Sequence, residues 1–354
     1  MKFGKGKLRL CRTGFVGVAL LIGLTGLAWA DAPFSDLISF GDSLTDVGNV
    51  AGVTDSGDAP VIPGYYQETH FSDNLLWNET LANYWGLPAR SPGRIALGTS
   101  LPAETSGNTW AWGGSEAGSG TVQPTGVTTP IPNLLTETAN FLSVRTPVST
   151  ELYSIWSGAD NLLVGGKFGP QAAADAVDAV KTAMQDLEAA GARNFLIFNM
   201  PRMGDTPDAQ AGGPVSIALA NEFSISYNDA LNVALDELRH DPSFDGAIYL
   251  VDDYSLLVDI VDTVKTSGTY TPGFFVPGDP VTITNVTDTG LDYYNANDGA
   301  YPTDYLFWDD VHPTTQGHQI VAGLVLQAIP EPGTVAFLAI GGLALFVRRR
   351  VRPS

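Results

Sequence analysis

"DLISFGDSLTDVGN", residues Asp36–Asn49, joins a short apolar run, Asp36–Phe40, to a loop in which Ser43 stands between Asp42 and Asp46, with Gly41 and Gly48 nearby. An apolar run of this length that ends at glycine predicts a buried strand. A serine set among carboxylates and glycines adds nothing to a core, so the stretch predicts a strand that delivers a functional loop.

Further along, "YSIWSG" (Tyr153–Gly158), "NFLIFNM" (Asn194–Met200, stopped by Pro201) and "AIYLVD" (Ala247–Asp252) read as further strands. The last two are nearly continuous apolar runs, as buried parallel strands require. Helical spacing marks Leu76–Leu87 and an alanine-rich amphipathic segment, Gln171–Ala190, closed by Gly191. It also marks Ile217–Arg239, Leu256–Val264 and a final helix, Gly317–Ala328. Residues 88–130 read as loop, and residues 267–304 as an irregular insertion that leaves a lid open as a reading. Alternating strands and helices predict an α/β domain whose parallel sheet is covered on both faces. Ligands bind such sheets outside the carboxyl ends of the strands, where Ser43 is expected.

The two ends of the chain read differently. Lys2, Lys5, Lys7, Arg9 and Arg12 precede an uncharged apolar stretch and "AWA" at Ala28–Ala30, which predicts a secretory signal peptide over residues 1–30. The alternative is a retained membrane anchor. At the other end, "IPEPGTVAFLAIGGLALFVRRRVRPS" joins a Pro-Glu-Pro motif, an apolar stretch from Thr334 to Val347, and four arginines that favour the cytoplasmic side. That order of parts resembles the PEP-CTERM sorting signal of Gram-negative bacteria. The resemblance implies an exosortase that cuts near Pro330–Pro332, after transient anchoring in the inner membrane, and leaves the body outside the cell or on its surface. A plain C-terminal anchor is the alternative. One domain, residues 31–329, is expected between signal and tail (residues 330–354). The only cysteine, Cys11, lies in the signal, so no disulfide is expected in the body. Nine of the 18 Lys and Arg residues lie in the two ends, while 37 of the 38 Asp and Glu residues lie between them. A body that acidic repels phosphates, which excludes nucleic acid as a partner.

A serine hydroxyl needs a base, and the base needs an orienting group. Between signal and tail lie His70, His240, His312 and His318. In "FWDDVHPTTQGH" (Phe307–His318), Asp309 precedes His312 by three residues. In a tight loop the carboxylate can fold back to accept the Nδ1 proton, leaving Nε2 to face a serine. His240 ends a helix, His318 is expected to pack on the final helix, and His70 is expected on a surface loop.

These blocks closely resemble the GDSL, or SGNH, family of serine esterases and lipases. "FGDSLTDVGN" matches the first block, "FWDDVHPTTQGH" the last, and "HFSDNLLWNETLANYWGLP" the segment between the first and second. The resemblance spans roughly residues 36–326. It implies a three-layer α/β/α sandwich of flavodoxin-like form, with Ser43 as nucleophile, His312 as base and Asp309 as orienting acid, and with no metal or cofactor. It also implies an oxyanion hole built from the Ser43 backbone N–H, a glycine N–H and an asparagine side chain. The glycine is matched in "TWAWGGSEAG" by Gly114, with Gly113 as second choice. Trp110 and Trp112 beside it are candidates for the wall of an acyl pocket. The third block departs from the family's Gly-x-Asn-Asp: "WSGADNLL" has Asp160 in the asparagine place and Asn161 after it. Three readings stay open: a loop shifted by one residue so that Asn161 donates, a two-donor hole, or lost catalysis. Asn161 is taken as the donor.

The expected function is an exported serine esterase or lipase acting on an ester of a lipid or an acylated sugar, with signal peptidase and exosortase as processing partners. The alternatives are an acyltransferase, a carbohydrate acetyl esterase with Tyr293 and Tyr294 among its stacking aromatics, and a non-catalytic surface protein. Oxygen side chains in Thr287–Gly299 lack EF-hand spacing, so no metal site is assigned.

Overall fold

The structure is a computed structural model that describes residues 32–53, 70–97, 101–127 and 129–329. The signal and the sorting tail read from the sequence lie outside these residues. In chain order the elements are β1 (Leu37–Gly41), α1 (Trp77–Trp85), β2 (Thr121–Val122), β3 (Ile131–Pro132), α2 (Leu134–Val144), β4 (Leu152–Trp156), α3 (Ala159–Leu163) and α4 (Gly169–Ala189). There follow β5 (Asn194–Phe198), α5 (Pro207–Ala211), α6 (Gly213–His240), β6 (Ala247–Val251), α7 (Asp253–Ser267), β7 (Asn285–Thr289), α8 (Gly290–Ala296), β8 (Tyr305–Phe307) and α9 (Thr315–Ala328).

The central sheet is parallel throughout, in the order β1-β4-β5-β6. Side chains alternate across it, and each face has its own core. Ile38, Phe40, Tyr153, Ile155, Phe195 and Ile197 pack against α2, α4 and α6. Leu37, Leu152, Trp156, Leu196, Phe198 and Val251 pack against α1, α7 and α9. This is the three-layer α/β/α sandwich expected from the sequence. The alanines of α4 explain its closeness to α6: Ala173, Ala176 and Ala183 are wholly buried and leave room for Phe223, Tyr227 and Leu231.

Residues 108–113 extend the sheet on the free side of β1. Ser39 N–H donates to the Asn108 carbonyl at 2.9 Å, Trp110 N–H to Ser39 at 2.7 Å and Trp112 N–H to Gly41 at 2.9 Å. At the opposite edge β6 is less buried than its apolar sequence predicts, since only Val251 is fully enclosed. The insertion is more regular than expected. Residues 285–289 form β7, which pairs in parallel with β8, and α8 follows directly.

Candidate active site

The carboxyl ends of the four sheet strands converge on one cavity. Asp42, Ser43 and Leu44 follow β1, Trp156, Ala159 and Asp160 come from the end of β4, Pro201 and Met203 follow β5, and Asp253 follows β6. His312 and Pro313 close it from the loop between β8 and α9.

Local hydrogen bonds fix the serine loop. Gly41 has φ of +132°, and a side chain there would run into the Trp156 carbonyl, so only glycine lets β1 lie against β4 and then turn. The Asp42 carbonyl accepts from Thr45 at 3.0 Å and Asp46 at 3.1 Å, while its Oδ1 accepts from Leu44 N–H at 3.1 Å. Asp46 is wholly buried and gathers four backbone N–H groups: Gly48 at 2.8 Å, Asn49 at 2.6 Å, Val50 at 3.0 Å and Gly113 at 2.9 Å. It thereby ties the serine loop to the glycine pair. Burial still raises its carboxyl above the usual range.

The histidine loop is held as firmly. Trp308 N–H donates to the His312 carbonyl at 2.7 Å and Thr314 N–H to Leu306 at 2.9 Å. Thr315 N–H donates to Asp73 at 2.6 Å, Ser72 Oγ donates to the Pro313 carbonyl at 3.0 Å, and the Phe71 ring lies 5.0 Å from the imidazole. His312 Nδ1 lies 2.7 and 2.9 Å from the Asp309 oxygens. A carboxylate only accepts, so Nδ1 carries the proton and Nε2 is left as acceptor. Ser43 Oγ lies 2.7 Å from that Nε2. Asp309 is held in turn by Val311 N–H at 2.9 Å and His312 N–H at 2.7 Å. Ser43 thus joins His312 and Asp309, more than 260 residues further along, in one hydrogen-bonded chain.

Three sequence expectations are corrected. First, the Asn161 amide is engaged away from the serine: Oδ1 accepts from Ala117 N–H at 2.8 Å and Nδ2 donates to the Ala117 carbonyl at 3.1 Å. It is Asp160 that lines the cavity with Ser43. Of the two glycines, Gly113 has its N–H taken by Asp46, while Gly114, at φ of +88°, turns its N–H toward the Asp160 carboxyl. Second, Trp110 and Trp112 are core residues. Trp110 packs on Phe141 beneath the sheet, and Trp112 belongs to a small cluster with Val50, Phe71 and Ile131. Third, His70 is buried rather than on a surface loop, with Nε2 3.5 Å from Glu79. His318 does pack within α9; burial and the neighbouring His312 and His70 push it down to about 3, so it stays neutral.

Two groups escape sequence reading. Asp42 is pushed up to about 7 by burial, against the opposing pull of Leu44 N–H and His312. Glu137, from α2, is wholly buried beneath the serine loop, accepts Gly41 N–H at 3.0 Å, and is raised well above the carboxylate range by burial. Nothing in the spacing of Glu137 marks it as polar: in α2 it shares the buried face of Leu134, Thr138 and Phe141.

The cavity beside Ser43 has a volume of about 70 Å³ and opens to solvent. Its walls are mostly apolar: Leu44, Trp156, Met203, Leu256, Leu257 and Ile260 are among them. None of the described residues lining it comes from 267–304.

A family model, the GDSL-like Lipase/Acylhydrolase, matches residues 37–325, and the PEP-CTERM protein-sorting motif matches residues 328–350. The phosphatidylcholine-sterol acyltransferase of Aeromonas hydrophila is 30% identical over 218 residues, covering 61% of this chain and 59% of that protein. The thermolabile hemolysin of Vibrio parahaemolyticus serotype O3:K6 is 24% identical over 300 residues, covering 82% of this chain and 63% of that protein. The chain thus spans less than two thirds of the length of these relatives. A solved structure of a member of the lipolytic protein G-D-S-L family from Veillonella parvula is similar with a TM-score of 0.39 and 14% identity, over 82% of this chain and 96% of that one.

Proposed function

Because the chain belongs to the GDSL-like lipase/acylhydrolase family, we propose that it is an exported serine hydrolase that cleaves carboxylic esters of apolar acyl chains. The observation that carries this reading is the chain from Ser43 Oγ to His312 Nε2, 2.7 Å, and on to Asp309, at the mouth of an apolar cavity. Ser43 attacks the ester carbonyl as its proton passes to His312. Asp309 stabilises the imidazolium, which then protonates the departing alkoxide. Water, activated by His312 in turn, releases the acid and restores the serine.

The cavity walls favour a fatty acyl group over acetyl. Each methylene that such walls, with Leu256, Leu257 and Ile260 among them, remove from water contributes about 0.8 kcal/mol to binding. Esters of p-nitrophenol with lengthening acyl chains, assayed beside acetylated sugars, test this. kcat/KM should rise from acetate toward medium chains, and a maximum at acetate would make the protein an acetyl esterase. Transfer of the acyl group to an alcohol instead of water is the second reading, supported by the name of the A. hydrophila relative. Adding a long-chain alcohol and measuring the ester formed separates the two.

Export rests on the sorting motif at residues 328–350. In this reading residues 1–30 are the signal peptide, residues 31–329 the hydrolase domain, and residues 330–354 a tail that an exosortase removes at the inner membrane of a Gram-negative cell. Among the described residues no helix is long and apolar enough to cross a membrane. Mass spectrometry of the surface protein should find a start near Asp31 and an end near Pro330–Pro332. Retention of Arg350 would leave the simple anchor.

A further inference from the structure

Resting on that reading, we propose that Asp160 is the side-chain donor to the ester oxyanion, acting as an un-ionised carboxylic acid whose O–H points at the developing negative charge. The oxyanion forms on the carbonyl that Ser43 attacks, and Asp160 lines the same cavity wall. Asp160 is the second residue of α3, a short helix entered through Gly158 at φ of +121°, and is 6% exposed. Gly114 N–H faces its carboxyl, and its Oδ2 is buried without a hydrogen-bond partner. Asn161, the only amide nearby in sequence, is engaged by Ala117.

A buried carboxyl oxygen without a partner fits an ionised group poorly and a protonated one well. An ionised carboxylate needs several donors to offset lost hydration. Asp160 has one, Gly114 N–H. The groups around it favour the proton. Asp42 approaches from the serine loop, itself with an unpartnered Oδ2, and Glu116 from the segment beside β1. The Glu116 charge is paired with Lys167. Tyr227, from α6, donates to the Ser157 carbonyl at 2.8 Å, and Asp253 brings a further carboxyl to the cavity from α7. His312, once protonated, already faces Ser43 and Asp309. Burial first, then Asp42 and Glu116, hold the Asp160 carboxyl well above its ordinary range, with Gly114 N–H opposing. The consequence is chemical: a neutral carboxyl donates one hydrogen bond, as an amide would, while an ionised one repels the oxyanion. The sequence inversion at residues 160–161 therefore preserves a donor, and makes it sensitive to alkali.

The test compares the full chain with Asp160→Asn and Asp160→Ala on a soluble short-chain p-nitrophenyl ester from acid to alkaline pH, with fluorophosphonate labelling of each. Wild-type kcat should fall on an alkaline limb as Asp160 loses its proton. In Asp160→Asn that limb should vanish, raising the alkaline-to-neutral kcat ratio tenfold or more over wild type. Asp160→Ala should lower kcat by roughly 10²–10³ with KM within a few-fold. The infrared difference between wild type and Asp160→Asn at neutral pH should contain the carbonyl band of an un-ionised carboxyl. The inference is overturned if Asp160→Ala keeps wild-type kcat, if Asp160→Asn keeps the alkaline limb, or if the un-ionised band is missing. Should Asp160→Ala not fold, the limb and the infrared band in Asp160→Asn decide alone. Wild type that neither hydrolyses esters nor is labelled at Ser43 refutes the functional reading, and the donor role with it. Labelling at Ser43 with flat Asp160 comparisons refutes the donor role alone.

Discussion

Asp253 offers the clearest physical test, because its burial serves no hydrogen-bonded chain to the serine. It opens α7 at the floor of the apolar cavity, is 6% exposed, and its carboxyl is pushed up from 3.8 to about 7 by burial first and by the adjacent Asp252 second. An acid whose folded value is raised holds a proton in the folded state that the unfolded chain has lost. Stability is therefore complete below about pH 4, falls as pH rises toward 7, and above that carries the full penalty. At ~1.4 kcal/mol for each tenfold in proton affinity, the gap between 3.8 and about 7 amounts to ~4 kcal/mol. Asp253→Asn keeps the shape and removes the charge. Urea denaturation of both proteins should show no gain at pH 4 and a gain of up to ~4 kcal/mol at pH 8. Comparing the two proteins cancels the contributions of Asp42, Asp46, Glu137 and Asp160, which are raised by burial too. The acyl site should follow: wild-type KM for a long-chain ester should rise above pH 7 by more than that of the variant, in which Asp42 alone of the two carboxyls still ionises in this range. A stability gain that is the same at every pH would refute the reasoning.

Three further outcomes follow from the geometry. Gly41→Ala forces a side chain into the Trp156 carbonyl at φ of +132° and should cost about 3 kcal/mol or more; a denaturation midpoint that implies under ~1 kcal/mol would contradict the account of the β1–β4 contact. Asp309→Asn leaves the loop shape but turns an amide toward Nδ1, favouring the wrong tautomer, and should lower kcat roughly 10³–10⁴-fold with little change in KM; steady-state kinetics showing a loss confined to KM would contradict it. Leu257→Trp narrows the cavity and should move the best substrate to a shorter acyl chain, which the ester panel reads directly; an unchanged optimum would place the acyl group elsewhere.

The fold is legible because its signals are local and repeated: buried parallel strands are continuous apolar runs, and α4 carries its own period. The edge strand β6 is the exception. It has the composition of a central strand, but sheet order decides burial, and sheet order is not local. The Ser43 and His312 loops are legible because Asp309 lies three residues from the histidine it touches. The Asp160–Asn161 pair is not, because which side chain faces the serine depends on where α3 begins, a matter of one residue. Trp110 and Trp112 mislead for a related reason: in a glycine-rich segment they resemble exposed loop aromatics, yet the pairing of residues 108–113 with β1 turns them into the core. Glu137 stays hidden because its partner, Gly41, is 96 residues away.

The central claim is that Ser43 is the nucleophile. Full-length wild type and Ser43→Ala are treated with a fluorophosphonate, digested and mapped by mass spectrometry, and assayed on the same medium-chain ester. The account expects one adduct, on Ser43, and hydrolysis reduced in the alanine variant to the small residue that binding and the oxyanion donors provide. An adduct on another serine, or undiminished hydrolysis by Ser43→Ala, would contradict it.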